Sequence, residues 1–320
     1  MSIISIVVPC FNEEEVINKT HSRLIEELSK IKSHKNLEFE VIYVNDGSRD
    51  NTLSLLHEIK KKSLEMTSIK CNIVIISLAK NFGHQIALSA GLQYAKGDAI
   101  VSIDADLQDP PEVIERMLER WIAGFDVVYG VRKSRDGETW FKLFTAKIFY
   151  LFLKSITNCD IPLNSGDFRL LSRRALNIFN SLPEKNRFIR GMIPWIGLKQ
   201  TPIYYERHAR FAGTTKYPFS KMLKLAFDGI IGFSHIPLRT AYYLGFFVAI
   251  LSFMYGLFII FHSLITGDYV KGWSSLMVAI LFIGGVQLIT IGILGEYIGR
   301  IYDEVKKRPL FIIDDKDSRF

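Results

Sequence analysis

Two aspartates separated by one residue, Asp104 and Asp106, follow an apolar run at residues 99–103. Two carboxylates about 4 Å apart repel each other by about 4 kcal/mol near a protein surface. A hard divalent cation relieves that repulsion, and Mg²⁺ commonly takes one or two carboxylates and completes its shell with water and substrate phosphates. The pair therefore predicts a metal site that binds a diphosphate. The alternative is a solvated turn with scattered acids.

A buried strand and a helix would position this pair. The β-branched run 99–103, bounded by a glycine and a polar cluster, is typical of a strand in a parallel sheet. After it, Asp109 and Glu112 have the spacing of a capping box, and the two prolines between them suit a first helical turn. Open α/β sheets bind their ligands at the carboxyl ends of strands, which is where the two aspartates would lie.

Apolar runs and helical patterns alternate along the N-terminal part of the chain. The predicted strands lie at residues 3–8, 39–44, 73–78, 99–103 and 127–129. This alternation predicts an α/β fold with a doubly wound, mostly parallel sheet. The loop after the first strand has no Gly-x-Gly-x-x-Gly motif, so hydride transfer with a dinucleotide is not expected.

Other polar residues also follow predicted strands. Asp46, in an Asp-Gly pair, could accept hydrogen bonds from a nucleobase or ribose, or could simply form a turn. His84 has no metal-binding neighbour in the sequence, which favours a structural or substrate-orienting role. Arg132 lies in a basic cluster at a strand end, from which it could reach the same diphosphate. A solvated surface is the alternative for that cluster.

Two long runs near the C-terminus contain no Asp, Glu, Lys or Arg. Residues 240–267 and 272–295 each exceed the roughly 20 residues that cross a bilayer. We predict two transmembrane helices, and the alternative is a hairpin buried in a soluble core. Basic residues flank both runs, so the positive-inside rule puts both termini and the large domain in the cytoplasm. No signal peptide is expected, because residues 1–8 lack a basic start.

The segment before these runs is rich in cations. Residues 140–156 interleave aromatic residues with lysines, which suits a helix in the membrane interface, and residues 225–233 are a second candidate. A core helix is the alternative for the first. Arg173, Arg174 and Arg187 lack compensating acids nearby, so they either bind an anionic partner or contact lipid headgroups.

The bulk composition is consistent with a membrane and a phosphate-bearing ligand. The net charge of +7 is better explained by anionic lipid and a phosphate-bearing substrate than by nucleic acid, for which no module signature is present. The three cysteines lack ligand-like spacing, so neither a zinc site nor a disulfide framework is expected.

Taken together, these motifs resemble those of the polyprenyl-phosphate glycosyltransferases of family 2. The motifs are SIVVPCFNE at 5–13, VNDGS at 44–48, NFGH at 81–84, DADLQDP at 104–110, GDFR at 166–169 and GTTKY at 213–217. The run LGEYIGRIY at 294–302 strengthens the resemblance, which spans nearly the whole chain. Within the family, the sequence is most similar to the bactoprenyl-phosphate glucosyltransferases that supply lipid-linked glucose for O-antigen modification.

The resemblance implies a GT-A-type fold, a UDP-sugar as donor and undecaprenyl phosphate as acceptor. UDP-glucose is the first candidate for the donor. Positions matching the family's nucleotide site are Pro9, Phe11, Glu13 and Asp46. Those matching its Mg²⁺ or Mn²⁺ site are Asp104, Asp106 and Gln108. Those matching its phosphate-binding cations are Arg132, Arg210 and Lys216. Tetramers occur in the family, so a homo-oligomer is an expected partner.

Asp167 falls in the family's acceptor-side motif. A phosphate monoester is already mostly ionised at neutral pH, so the acceptor needs no strong base. We therefore expect Asp167 to orient groups, through Arg169, rather than to act as an obligatory base.

The expected organisation is a cytosolic nucleotide-sugar-binding core at 1–136, an acceptor-side segment with interfacial helices at 137–234, two transmembrane helices at 235–300 and a cytoplasmic tail at 301–320. The expected reaction is a metal-dependent, inverting transfer of a hexose at the cytoplasmic face of the bacterial inner membrane. Glucose is the first candidate for this hexose. A 4-amino-arabinose, N-acetylhexosamine or mannose donor is an alternative within this class. A lipid flippase or scaffold is an alternative from another class, but it would have no use for carboxylates at a strand end.

Overall fold

The computed structural model describes residues 2–35, 37–65, 71–133, 165–206, 236–266 and 272–319. These residues fall into two compact units, one within Met1–Ala226 and Pro309–Phe320 and the other within Phe227–Arg308. The interfacial helices predicted at 140–156 and 225–233 lie outside the described residues.

The first unit contains a seven-stranded sheet. Its strands are β1 (Ile3–Cys10), β2 (Glu38–Asn45), β3 (Cys71–Ser77), β4 (Ala99–Ser102), β5 (Val127–Arg132), β6 (Ser165–Ser172) and β7 (Gln200–Tyr205). Their order is β3-β2-β1-β4-β6-β5-β7. β6 runs antiparallel to β4 and β5, and every other pair in the sheet is parallel. The predicted mostly parallel sheet is therefore confirmed.

Helices cover both faces of this sheet. They are α1 (Ile17–Lys35), α2 (Thr52–Glu65), α3 (His84–Tyr94), α4 (Val113–Ile122), α5 (Arg173–Ser181) and α6 (Ile189–Trp195). Apolar side chains of α1, α2 and α4 join one buried core with alternate residues of β1, β2 and β4. α3 packs on β1 and β2 from the other side, and α5 and α6 pack on β6. Strands buried on both faces read as continuous apolar runs, which is why the sequence pattern reveals them.

The packing of α3 on the sheet is unusually close at Gly91. A Cβ at this position would lie 2.3 Å from Val7 Cγ1 and 2.9 Å from Val44 Cγ2. Only glycine therefore fits here without displacing the side chains of β1 and β2. The close approach seats α3 directly on the two strands whose carboxyl ends carry polar loops.

β6 is not recognisable from its sequence pattern. The strand is buried along its whole length, yet it contains Ser165, Asp167 and Arg169. Charged residues at buried positions interrupt the apolar run by which a central strand is recognised. The partners of Asp167 in the fold are distant in the sequence.

One local prediction, the capping box at the start of α4, is wrong. α4 begins at Val113 with Glu112 as its N-cap and no side-chain capping bond. Asp109 instead accepts a hydrogen bond from Tyr205, and Glu112 pairs with Arg23 at 2.7 Å. No capping box forms, because both acidic side chains are engaged by more distant residues.

Arg173 and Arg187, for which an anionic partner or lipid headgroups were expected, donate hydrogen bonds to backbone carbonyls. Arg173 donates to the carbonyl oxygens of Ala95 and Gly97, at the end of α3. Arg187 donates to those of Phe179 and Leu182, at the end of α5. Both arginines thus bind carbonyls at or just after the C-terminus of a helix, where cationic side chains are favoured.

The second unit consists of α7 (Ile236–Thr266) and α8 (Trp273–Val305), which pack against each other. Stretches long and apolar enough to cross a membrane lie at Ile236–Phe258 and Phe282–Val305, as predicted. Almost none of either stretch is buried within the described chain, and Phe253 and Ile265 are 69% and 80% exposed. The described residues therefore do not form a hairpin buried in a soluble core.

His21 of α1 makes the first unit sensitive to acid. Its Nδ1 lies 2.9 Å from the Tyr43 hydroxyl, and burial lowers the pKa of His21 from 6.5 to about 4. Between these values the unfolded chain binds more protons than the folded one, so this contribution to stability is lost as the pH falls from 6.5 towards 4. We expect the thermal unfolding midpoint of the full chain in detergent to fall less between pH 7 and pH 5 in His21→Gln than in the wild type.

The matched control is Ser22→Ala, at the neighbouring exposed position of α1. It should keep the wild-type pH dependence. The same pH dependence in His21→Gln and in the wild type would contradict the assignment.

Candidate active site

Loops at the carboxyl ends of β1 and β2 are hydrogen-bonded into one platform. The amides of Asn12 and Glu13 donate to the hydroxyls of Ser48 and Thr52, at 3.1 and 2.8 Å. Asn12 has a φ of 53°, a left-handed conformation in which asparagine is enriched. The loop is therefore fixed before any ligand arrives. It carries two of the predicted nucleotide-binding residues, Phe11 and Glu13, and a third, Pro9, lies near the end of β1.

Asp46, at the end of β2, is almost fully buried. Its two carboxylate oxygens accept the amides of Phe82 and Gly83 at 2.7 and 2.9 Å. Burial raises the pKa of Asp46, and these two hydrogen bonds act against it. A Cβ on Gly47, whose φ is +61°, would lie 2.4 Å from the Lys80 carbonyl carbon. Asp46 thus fixes the loop between β3 and α3, and its contact with a nucleotide stays a prediction.

Asp104 and Asp106 directly follow β4. Between Asp106 and Gln108 the buried Leu107 has a φ of 59°, which is rare for a residue with a side chain and costs on the order of 1–3 kcal/mol. The amide of Gln108 donates to Asp106 Oδ1 at 3.1 Å. Strain of this kind is typical of functional turns, and here it fixes the backbone that carries the predicted metal ligands.

Negative charge accumulates around Asp104. Enclosure of its carboxyl group raises the pKa of Asp104 to about 6. His84 acts against this rise, and the carboxyl groups of Asp109, Asp167 and Asp106 add to it. A divalent cation would relieve this repulsion. Two carboxylates are a donor set that Mg²⁺ or Mn²⁺ accepts when water and phosphate complete the shell. Within the described ranges, no group of three or more His, Cys, Asp or Glu forms a metal site.

A second cluster centres on Asp167 of β6, which is 3% exposed. Arg190 from α6 donates Nε to Oδ1 and Nη2 to Oδ2, at 3.0 and 2.9 Å. Gln85 donates to Oδ2 at 3.1 Å, and His84 Nε2 lies 3.3 Å from the same oxygen. Burial alone would raise the pKa of Asp167, but Arg190 and His84 hold it well below the usual range. The carboxylate is therefore ionised and surrounded by donors.

His84 connects the two clusters. Its Nε2 lies 3.6 Å from Asp104 Oδ1 as well as 3.3 Å from Asp167 Oδ2. Burial disfavours the imidazolium, but these carboxylates raise the pKa of His84 to about 9. His84 is thus cationic at neutral pH. In the sequence it has no metal-binding neighbour, but in the fold it lies beside Asp104, a predicted metal ligand.

Arg132 lies at the end of β5, close to the same group of acids. Its Nη2 is 3.8 Å from Asp109 Oδ1, and its Nε donates to the Tyr205 hydroxyl at 3.4 Å. Burial acts against the charged form, but Asp109 and Tyr205 raise the pKa of Arg132. A Cβ on Gly166 would lie 2.8 Å from Arg132 Nη2. The glycine of the 166–169 motif therefore leaves space for this guanidinium group.

Arg169 does not pair with Asp167 as expected. Arg169 is buried and donates Nη2 to the Gly166 carbonyl at 2.7 Å, and burial lowers its pKa to about 10. In the described part of the chain, the arginine hydrogen-bonded to Asp167 is Arg190. No sequence signal separates Arg190 from the arginines around it. Two further predicted phosphate-binding residues, Arg210 and Lys216, lie outside the described residues.

Comparison with known proteins identifies the family. The model of glycosyl transferase family 2 matches residues 5–179, and that of the GtrB C-terminal hairpin matches residues 236–301. The chain belongs to glycosyl transferase family 2. The predicted GT-A-type fold is thereby confirmed, since the match spans β1 to β6 of the doubly wound sheet.

Relatives of this glycosyltransferase match it over almost their full length. The SfII prophage-derived bactoprenol glucosyl transferase of Shigella flexneri is 44% identical, over 97% of this chain and 97% of that protein. A glycosyltransferase of Synechocystis sp. is 46% identical, over 98% and 95%. Among solved structures, glucosyl-3-phosphoglycerate synthase from Mycobacterium tuberculosis, with Mn²⁺, UDP and phosphoglyceric acid, has a TM-score of 0.48 at 20% identity, over 72% and 76%.

The pair of Asp167 and Arg190 should stabilise the glycosyltransferase. We expect Arg190→Ala to lower the free energy of unfolding by about 2 kcal/mol, because a buried carboxylate loses its bidentate partner. This value lies below that of a fully buried pair, since the Arg190 side chain is 28% exposed. Arg190→Lys keeps the charge but not the two parallel hydrogen bonds, so an intermediate loss is expected. Denaturant unfolding of the full chain in detergent measures both.

Arg174→Ala is the matched control. Arg174 is 71% exposed and lies 3.9 Å from Asp126, and exposed pairs contribute about 0–1 kcal/mol. An equal loss of unfolding free energy in Arg174→Ala and Arg190→Ala would show that the pair of Asp167 and Arg190 contributes no more to stability than an exposed ion pair.

Proposed function

We propose that this glycosyltransferase transfers glucose from UDP-glucose to undecaprenyl phosphate at the cytoplasmic face of the bacterial inner membrane. The observation that carries the proposal is the carboxylate pair Asp104 and Asp106 at the end of β4, with cationic side chains held beside it. The name bactoprenol glucosyl transferase, borne by the Shigella relative, supports glucose as the sugar and a polyprenyl acceptor.

The metal site belongs to the proposal. Asp104 and Asp106, with Gln108, would hold Mg²⁺ or Mn²⁺, which when bound neutralises the charge of the departing diphosphate. The support is the excess of carboxyl charge around Asp104, which the described side chains compensate only in part.

The donor would lie on the platform at the ends of β1 and β2. Pro9, Phe11, Glu13 and Asp46 are the residues proposed to bind the nucleotide. Their loops are ordered by hydrogen bonds within the protein, so donor binding requires little further ordering. Arg132, together with Arg210 and Lys216, is proposed to bind the phosphates.

The reaction is an inverting displacement. An oxygen of the acceptor phosphate attacks the anomeric carbon of glucose, while the bond from that carbon to the diphosphate oxygen breaks and UDP leaves. The second pKa of a phosphate monoester is near 6, so the nucleophile is already ionised at neutral pH. Asp167 would act by holding Arg190 and His84 in place, since its ionised carboxylate already accepts hydrogen bonds.

Two features support the proposed topology. The first unit includes described residues before α7, up to residue 206, and after α8, from residue 309. Two segments of one folded unit must lie on the same side, so the helices between them cross the membrane an even number of times. Arg300, Lys306 and Lys307 lie at the end of α8 or just after it, which favours the cytoplasmic side. A homotetramer, implied by the family resemblance, stays a prediction.

An assay of lipid-linked product tests the function. The full chain in detergent, undecaprenyl phosphate and Mn²⁺ should convert radiolabelled UDP-glucose into a lipid-extractable product. Donors carrying N-acetylglucosamine, mannose or 4-amino-arabinose should give at least about tenfold less. Preference for one of these would overturn the assignment of glucose. A lack of lipid-extractable product with every donor would overturn the transferase itself.

The same assay tests the metal site. Asp104→Asn and Asp106→Asn should each reduce transfer by about a hundredfold or more, because an amide cannot replace the charge that binds the cation. A chelator should have the same effect on the wild type. Glu58→Gln, which removes an exposed carboxylate from α2, is the control and should leave the rate unchanged. Full activity in chelator would end the metal assignment.

The pH profile distinguishes an orienting role of Asp167 from a role as a base. We expect Asp167→Asn to lower the rate by about tenfold to a hundredfold through misplaced neighbours. The acid limb of the pH–rate profile should stay where it is, since Asp167 remains ionised far below neutral pH. Measurement of kcat/KM against pH checks this. An acid limb that disappears in the variant would identify Asp167 as the base.

A further inference from the structure

The chain returns to the first unit after α8. Residues 309–319, which we call the C-terminal strap, lie along β3, the outer strand at one end of the sheet. Ile75 and Arg319 form an antiparallel bridge, and Leu78 forms a second one with Ile313. Ile75 and Arg319 exchange both of their backbone hydrogen bonds, at 2.8 and 2.7 Å. The strap therefore continues the sheet beyond β3.

The strap encloses Ser77, the last residue of β3. The amide of Asp314 donates to the Ser77 carbonyl at 2.8 Å, and the amide of Ser77 donates to the Ser318 hydroxyl at 3.0 Å. The same hydroxyl donates to the Asp314 carbonyl at 2.8 Å. Ser318 is only 5% exposed although it lies near the end of the chain. Both backbone groups of Ser77 thus depend on the strap.

Hydrogen bonds lead from Ser77 to the donor platform. The Asn45 side chain donates to the Ser77 hydroxyl at 3.0 Å and accepts the Ser48 amide at 3.2 Å. Asn45 immediately precedes Asp46. The amide of Ala79 donates to the Ile312 carbonyl at 2.9 Å. This bond fixes the start of the loop that binds Asp46 and ends at His84.

We infer that the C-terminal strap is a positioning element for the donor site. It holds the Asp46 and His84 loops in the arrangement that receives the UDP-sugar, and this role rests on the proposed function. Ser318 and Asp314 act through Ser77 and Asn45, so they are positioning residues that do not touch the substrate. A strap that only covered the edge of the sheet would protect β3 from other strands without affecting nucleotide binding.

Ser318→Ala separates these two roles. The change removes the acceptor of the Ser77 amide but leaves the backbone pairing of Ile313 and Arg319. We expect the Kd for UDP with Mn²⁺, measured by calorimetry on the full chain in detergent, to rise by about three- to tenfold. Hydrogen exchange in the loop containing Phe82 and Gly83 should become faster.

The matched control is Ser181→Ala. This serine lies exposed on α5 and donates its hydroxyl to the Ile178 carbonyl at 2.7 Å. Its loss should therefore change neither the Kd for UDP nor the hydrogen exchange of the loop. A second variant that deletes residues 309–320 should show a larger effect. If that variant fails to fold, the result for Ser318→Ala alone decides whether the strap positions the donor site.

The outcomes are distinct. Wild-type affinity and wild-type loop exchange in Ser318→Ala would overturn the positioning role, even with a lower unfolding temperature. If the wild type itself bound no UDP, the donor assignment in the proposed function would fail. Faster loop exchange in Ser318→Ala would then still show that the strap fixes the loop, and unchanged exchange would refute it.

Discussion

Repulsion between carboxylates at one edge of the sheet is the constraint on which the rest of the site depends. Four aspartates converge there, namely Asp104, Asp106, Asp109 and Asp167. Repulsion between their carboxylates in a partly buried place would oppose folding unless cations compensate the charge. Protein cations neutralise two of them, since Arg190 pairs with Asp167 and Arg132 approaches Asp109. Of the remaining pair, Asp104 lies 3.6 Å from the cationic His84, so the described side chains compensate this pair in part. The proposed metal ion would compensate the rest of its charge.

The antiparallel direction of β6 explains how Asp167 reaches that edge. In a parallel sheet, ligands gather at the carboxyl ends of the strands. β6 runs the other way, so its beginning rather than its end lies beside the ends of β4 and β5, with Arg169 opposite Ser102 and Ser165 opposite Val131. A motif at the start of a strand can therefore face the aspartates that follow another strand. The reversal adds Asp167 to an edge at which parallel strands alone would not place it, and α6 supplies its partner Arg190.

Much of the fold follows from the sequence, whereas the partners within the site do not. The parallel strands and the two apolar helices are predictable because a continuous apolar run must be buried in a core or in a membrane. The length of the run distinguishes a core strand from a helix that could span a membrane. β6 is missed because Asp167 and Arg169 break its pattern, and the partners of Asp167 come from other elements. The capping roles of Arg173 and Arg187 are missed for a related reason, since a backbone carbonyl is an acceptor that no residue type reveals.

The return of the chain to β3 sets an order of events during synthesis. Residues 309–319 leave the ribosome after both apolar helices have been made. Until then the outer strand of the sheet has an open edge, and the last residue of β3 lacks the groups that satisfy its backbone. Completion of the first unit is thus tied to completion of the two apolar helices that precede its last segment. A nascent chain released before residue 309 would carry the motifs of the transferase but not its finished sheet.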